Sequence, residues 1–165
     1  MNKKRLVVAF SGPSNSGKTT AIVKVASILQ DINFKVCIVK HDPKDKAMFD
    51  REGKDSFKFS QTGADVAVVS PNKTTVFKKG SSSIDELISI FDDFDYLLVE
   101  GLKTLDLPRI SIFRNKLDDS YFNVSNALAV DETIDKSSIP KSLDILDLNN
   151  PEEIINWIDK NAKRV

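Results

Sequence analysis

The feature that most constrains the fold of this chain is a short loop between an apolar run and a helical pattern. Leu6–Phe10 is a continuous apolar run, and Gly12–Thr19 matches G-x-x-x-x-G-K-[ST] at every required position. From Lys18 to Asp31, apolar residues recur at the spacing of an amphipathic helix. A strand, this loop and a helix in that order surround an anion with backbone amides at the positive end of the helix dipole. The sequence therefore predicts a phosphate-binding unit, and we call Gly12–Thr19 the phosphate loop.

Each position of the phosphate loop has an expected role in holding a nucleotide. We expect the Lys18 ammonium to reach the β and γ phosphates, the Thr19 hydroxyl to bind Mg²⁺, and Thr20 to touch the α phosphate. Backbone amides complete the predicted nucleotide contacts, which come from Gly12, Ser14, Asn15, Ser16 and Gly17. No residue presents itself as a general base for hydrolysis, so the catalytic residues stay unassigned.

A second apolar run ends in an acidic residue. Tyr96–Val99 reads as a buried strand and is followed by Glu100 and then Gly101. The carboxyl ends of parallel strands meet at one edge of an open α/β sheet, where ligands bind. We therefore predict that Glu100 lies near Thr19 and holds the magnesium ion with it.

Strands and helices alternate along the chain. A second buried strand is predicted at 36–39, directly after the first helix, which makes a βαβ unit with parallel strands. The sequence predicts one α/β domain over residues 1–165, with helices on both faces of a mostly parallel sheet in a three-layer sandwich. Further strands are expected at 66–69, 74–77, 96–99, 110–113, 127–130 and 143–146, and further helices at 55–61, from Ser83 as the cap through Phe91, and from Pro151 into 160–164.

The end of the second strand and the loop after it carry further polar candidates. Lys40, His41 and Asp42 come at the same predicted edge of the sheet as Glu100, and Asp42 could contact a magnesium-bound water. Residues 41–54 have no helical or strand periodicity and predict a long functional loop. On spacing alone, His41 and the turn that holds Lys54 and Asp55 are more typical of structural residues.

Two segments could read a nucleobase. Asn115–Asp118 matches N-K-x-D, with which many GTP-binding proteins recognise guanine. Asn115 comes only 15 positions after Glu100, which leaves no room for a crossover helix, so we interpret this match as incidental. Asp131 directly follows a predicted strand, and we predict it as the base contact.

Composition excludes several classes of protein. The 24 Lys and Arg balance the 24 Asp and Glu, and no basic run concentrates enough charge for a sequence-independent nucleic-acid binder. No apolar stretch approaches the roughly 20 residues of a membrane span. The single cysteine cannot form an internal disulfide, which favours the cytoplasm.

Taken in order, several motifs resemble the molybdopterin-guanine dinucleotide biosynthesis adapter proteins, the MobB family. The resemblance rests on Gly12–Thr20, Val39–His41, Asp50–Ser56, Gly63–Ala64, Val99–Gly101 and Ile112–Arg114. It implies a P-loop NTPase fold, a homodimer, and binding of GTP and Mg²⁺ with at most slow hydrolysis. Its expected partners are the guanylyltransferase that joins GMP to molybdopterin, and molybdopterin itself. It also implies switch or partner-site roles for Lys40, His41, Lys54 and Asp55.

The chain departs from the family pattern after His41, and one rival function stays open. The family commonly has further histidines where this chain has Pro43 and Lys44, so a role that needs a histidine cluster is not expected here. The alternative is a small-molecule kinase that uses ATP in the same loop. Its lid would need basic residues, for which Lys44, Lys46 and Arg51 are candidates without a pattern.

Overall fold

The computed structural model describes residues 4–165, which divide into two compact units. The larger unit contains the chain through His41 and then Asp93–Val165, and the smaller unit is Asp42–Asp92. The larger unit is therefore discontinuous in sequence.

The larger unit is built on a seven-stranded sheet, which confirms the predicted α/β class and mostly parallel sheet. The strand order is β2–β5–β1–β6–β7–β8, all parallel, with β9 antiparallel to β1. The strands are β1 (Leu6–Ser11), β2 (Val36–Lys40), β5 (Tyr96–Glu100), β6 (Arg109–Phe113), β7 (Ala127–Val130), β8 (Asp144–Asp147) and β9 (Lys163–Arg164). Because β1 lies between β5 and β6, its end faces the ends of both.

Two α-helices pack on one face of this sheet, and a 3₁₀ turn packs on the other. Alternate side chains of β1, β5, β6 and β7 form one core with α1 (Lys18–Asp31) and α4 (Pro151–Asn161). The opposite sides of β6 and β7 pack on the 3₁₀ turn Asp119–Val124, where the Tyr121 ring meets Phe113 edge-on at 5.4 Å. Because successive side chains of a strand point to opposite faces, β6 and β7 contribute residues to both cores.

The smaller unit has a hairpin and two helices. β3 (Val66–Ser70) and β4 (Lys73–Phe77) form a two-stranded antiparallel sheet, flanked in sequence by α2 (Asp55–Gln61) and α3 (Ile84–Phe91). The predicted capping box at Ser83 is confirmed, because the Ser83 hydroxyl accepts from the Glu86 amide and the Glu86 carboxylate accepts from the Ser83 amide. Residues 42–54 contain turns but no helix or strand, as predicted.

Two local predictions were wrong. β2 was expected to be a buried strand, but it is an edge strand on which Ile38 is 45% exposed. The last helix was expected to end in Lys160–Arg164; α4 reaches Asn161, but Lys163–Arg164 form β9, paired with Leu6 and Val7. No helix within residues 4–165 has the length and apolar character needed to cross a membrane.

Candidate functional site

The backbone of the phosphate loop has the shape that a bound anion requires. The loop leaves β1 at Gly12, whose φ is +135°, and enters α1 through Gly17, whose φ is +96°. A Cβ atom on Gly12 would lie 2.4 Å from the carbonyl oxygen of Ile112, so only glycine fits there. No side chain caps the first turn of α1, which leaves its amides directed at the loop.

Two polar side chains of the phosphate loop are ready to accept a ligand. The Lys18 ammonium donates to the carbonyl oxygens of Gly12 at 2.9 Å and Pro13 at 2.7 Å, so it lies folded across the loop. Burial lowers the pKa of Lys18, while the nearby Glu100 carboxylate opposes that shift. The hydroxyl of Ser16 is buried with no hydrogen-bond partner, a cost that an anion in the loop would relieve.

Strand pairing brings Glu100 beside the phosphate loop. Glu100 pairs in register with Phe10 on one side and Lys40 on the other. Its carbonyl oxygen accepts from the His41 amide at 3.0 Å, and the next amide, that of Gly101, donates to Phe10 at 2.9 Å. The structure therefore brings Lys40, His41 and Glu100 together at the end of β1.

The residues present fit a magnesium ion shared with a nucleotide. Within residues 4–165, no cluster of three or more His, Cys, Asp or Glu could hold a metal by itself. Thr19 is exposed at the start of α1 and Glu100 is half-buried at the end of β5. One hydroxyl and one carboxylate are enough for Mg²⁺, which keeps several waters and takes its other ligands from phosphate oxygens.

Arg109 is a site-shaping residue that sequence reasoning missed. Its side chain is fully buried and donates to four oxygens, one at the end of β1 and three in the segment that follows β5. The acceptors are Ser11 Oγ at 2.8 Å and the carbonyls of Gly101 at 2.9 Å, Leu102 at 2.9 Å and Leu105 at 3.2 Å. Arg109 thereby ties the start of the phosphate loop to the segment that follows Glu100.

Asp131, the predicted base contact, is engaged inside the protein. One carboxylate oxygen accepts from the amide and the hydroxyl of Thr133, and the other lies 3.4 Å from Nε of Arg114. That same Nε is 3.4 Å from where a Cβ on Gly17 would lie. The structure therefore places Asp131 behind Arg114 and places Arg114, which the sequence analysis did not assign to the site, against the phosphate loop.

The other switch candidates belong to the smaller unit. The Asp42 carboxylate accepts from the amides of Lys44, Lys46 and Ala47, at 3.2, 2.6 and 2.7 Å, and so organises a turn. Lys54 precedes α2 as its N-cap residue, and Asp55 in its first turn pairs with Lys58 at 3.2 Å. Lys54 and Asp55 are both exposed, so their side chains are accessible to a ligand or partner.

Comparison with known proteins gives a consistent result. A family model described as MobB, molybdopterin guanine dinucleotide synthesis protein B, matches residues 7–132. A Haemophilus influenzae protein named molybdopterin-guanine dinucleotide biosynthesis adapter protein is 26% identical over 164 residues, with 96% of this chain and 90% of that protein covered. A Methanocaldococcus jannaschii protein named "putative molybdopterin-guanine dinucleotide biosynthesis adapter protein" is 27% identical over 132 residues, which cover 76% of this chain and 55% of that protein.

Structure comparison agrees with the sequence matches. A crystal structure of molybdopterin-guanine biosynthesis protein B superposes with a TM-score of 0.72 at 25% identity, with 93% of this chain and 97% of that chain covered. The resemblance found in the sequence is thus confirmed. This chain spans only about half of the Methanocaldococcus relative, so that protein has a long region without a counterpart here.

Proposed function

The chain belongs to the MobB family, and from this premise we propose that it binds GTP with Mg²⁺ and serves as an accessory protein in the synthesis of molybdopterin guanine dinucleotide. In this proposal it assists the guanylyltransferase that joins GMP to molybdopterin. It hydrolyses GTP slowly at most, because nothing in the phosphate loop supplies a base for the attacking water.

The observation that carries the proposal is the buried, unpartnered hydroxyl of Ser16 inside an intact phosphate loop. Burying a hydroxyl without a partner costs free energy, and such groups are rare in folded proteins. In the part of the chain that the structure describes, the Lys18 ammonium of the same loop donates its hydrogen bonds to backbone carbonyls. A phosphate in the loop would accept from both groups, so the loop is complete for an anion.

Thr19 and Glu100 are the proposed magnesium ligands. A bound Mg²⁺ would neutralise phosphate charge, and the chain would hold it through one hydroxyl and one carboxylate. Lys40 and Lys103 add positive charge near Lys18, and both contribute to lowering its pKa. A polyanion bound here would meet the ammonium groups of Lys18, Lys40 and Lys103 around the Glu100 carboxylate.

The proposal extends to partners and assembly. The guanylyltransferase, molybdopterin and a second copy of the chain are the expected partners, and Lys40, His41, Asp42, Lys54 and Asp55 are candidates for responding to them. Lys40, His41, Lys54 and Asp55 support this role because their side chains are exposed. The single cysteine favours a reducing compartment, and we place the protein in the cytoplasm.

Thermal shift with nucleotides tests the binding claim. GTP with Mg²⁺ should raise the melting temperature of the wild-type chain, and Lys18→Ala should abolish that rise because the phosphates lose their cation. Lys24→Ala is the matched control, since Lys24 is exposed on the same helix. A GTP-dependent rise that persists in Lys18→Ala would reject this phosphate site.

Two further measurements separate the accessory role from a kinase. A larger shift with ATP than with GTP, together with turnover that needs an acceptor molecule, would favour the ATP-dependent kinase. Stimulation of a competent guanylyltransferase by the chain and GTP, but not by the Lys18→Ala variant, is the result expected of an accessory protein. No stimulation would leave only nucleotide binding.

A further inference from the structure

The loop after β6 lines most of a pocket that Pro13 of the phosphate loop also lines. The pocket has a volume of about 730 Å³, within the range that small-molecule sites occupy. Besides Pro13, its lining consists of residues 114 and 116–119, Phe122 and Ser138. A group attached to a phosphate in the loop therefore has an adjoining space to enter, and the roles assigned so far do not use it.

Asp118 supplies this pocket with an ionised acceptor. Its Oδ1 accepts from the Ser120 amide at 3.1 Å and the Ser120 hydroxyl at 2.6 Å, and these bonds lower the pKa of the carboxyl. Nearby Lys103 and Lys116 add to that lowering. Within the described chain, the side-chain hydrogen bonds of Asp118 all use Oδ1, so Oδ2 is available. An ionised carboxylate can only accept hydrogen bonds.

An ionised carboxylate in this pocket distinguishes guanine from adenine. Guanine presents two adjacent donors, N1–H and the 2-amino group, whereas adenine presents an acceptor at N1. Leu117 and Phe122 give the pocket apolar surface for a ring, and the Lys116 stem can lie along it. We infer that the nucleobase of the bound nucleotide occupies this pocket and that Asp118 selects guanine, an inference that rests on the proposed binding of GTP.

The sheet topology removes the objection that spacing raised against Asn115–Asp118. The interval after Glu100 holds no crossover helix, because β6 pairs directly with β1 on the side opposite β5. The chain that follows β6 therefore reaches the phosphate loop without another element. Asp131 offers less to a base, since it is buried and both of its oxygens are engaged by Thr133 and Arg114.

The test exchanges the carboxylate for an amide and measures dissociation constants of the full chain for GTP, XTP and ATP with Mg²⁺. Asp118→Asn should weaken GTP binding about tenfold to a hundredfold, because the amide offers a donor where guanine also has one. It should strengthen XTP binding by a similar factor, because xanthine carries a carbonyl in place of the 2-amino group. A residue that only stabilises the loop would not produce this gain.

Asp135→Asn is the matched control. Asp135 caps the next 3₁₀ turn through the same pair of bonds, from the Ser137 amide at 2.9 Å and hydroxyl at 2.7 Å, but does not line the pocket. Its substitution should leave the ratio of GTP to XTP affinity unchanged. An unchanged ratio in Asp118→Asn, or an equal change in Asp135→Asn, overturns the inference while Lys18-dependent GTP binding stands. A wild-type chain that binds no triphosphate overturns the proposed function and this inference together.

Discussion

At the residue scale, Arg109 shows how one buried cation fixes the geometry of two loops. Its guanidinium has no carboxylate partner among its hydrogen bonds, and burial lowers its pKa. Four oxygen acceptors compensate for the lost hydration of the charge, three of them carbonyls of the segment after Glu100. The positions of Glu100 and of the phosphate loop therefore depend on the same side chain.

Replacing Arg109 should destabilise the protein strongly. Arg109→Ala removes four hydrogen bonds and leaves the buried Ser11 hydroxyl and three partly buried carbonyls without this donor, so we expect a loss of about 3 kcal/mol or more in the free energy of unfolding. Arg109→Lys keeps the charge but cannot reach all four acceptors, so its loss should be smaller. Urea denaturation measures both. Arg51→Ala, at an exposed arginine, should change stability by no more than about 0.5 kcal/mol; equal effects at 51 and 109 would contradict the assigned role.

The residues that sequence could identify are those whose partners are local. The phosphate loop is one contiguous motif, so Lys18 and Thr19 could be assigned before any fold was known. Arg109 and the Arg114–Asp131 pair had no such signal, because sheet register brings their partners together from distant parts of the chain. Asp118 is an intermediate case. Its N-K-x-D motif can be seen in the sequence, but its place in a pocket beside the phosphate loop depends on the pairing of β6 with β1.

At the element scale, α4 shows how a local signal supports a core helix. The Asn150 side chain accepts from the Glu153 amide at 3.2 Å, and Pro151 occupies the first turn. Ile154 and Ile158 are then buried against the sheet together with Trp157. Trp157 Nε1 also donates to the Asp144 carboxylate of β8 at 2.7 Å. The cap thus starts a helix whose apolar face completes one layer of the larger unit.

Removal of this cap should lower the free energy of unfolding, and a residue that restores the cap should restore the stability. Asn150→Ala leaves an amide of the first turn unpaired and should lower the free energy of unfolding by about 1 kcal/mol. Asn150→Asp keeps a side-chain acceptor and adds a charge that the helix dipole favours, so it should retain wild-type stability within about 0.5 kcal/mol. Chemical denaturation of the two variants gives the comparison. If Asn150→Asp were as unstable as the alanine variant, the cap would not be the cause.

The elements that periodicity could not predict are those that depend on the position of a strand in the sheet. β2 is as apolar in sequence as β1, yet it lies at the edge, and sequence alone does not give strand order. β9 is two basic residues whose backbone pairs with Leu6 and Val7, where β6 does not reach β1. A two-residue strand held by backbone hydrogen bonds has no characteristic pattern of apolar side chains, so β9 could not be predicted from the sequence.

At the scale of the whole molecule, the two units differ in how much apolar surface they bury. Every residue of β1 and the first four of β5 are buried. Among the described residues of the smaller unit, Val66 alone is a buried hydrophobic. Because local stability follows buried apolar contact, the smaller unit should open more easily than the sheet of the larger one.

Hydrogen exchange checks this difference. Amides of β3 and β4 should exchange at least about a hundredfold faster than amides of β1 and β5, since local opening of the hairpin costs less than opening of the buried sheet. Mass spectrometry of peptides from both units measures the rates in one sample, so each unit is the control for the other. Equal protection of the hairpin and the central strands would contradict the prediction.

The discontinuity of the larger unit also sets an order of events on the ribosome. The strand that leads into the phosphate loop is made early, but its neighbours β5 and β6 are encoded beyond the whole of the smaller unit. At about 5–20 residues per second, β1 and β2 wait several seconds, apolar and without their common partner, until β5 emerges. During translation the nascent chain therefore exposes these two apolar strands before the strand that pairs with both of them has been made.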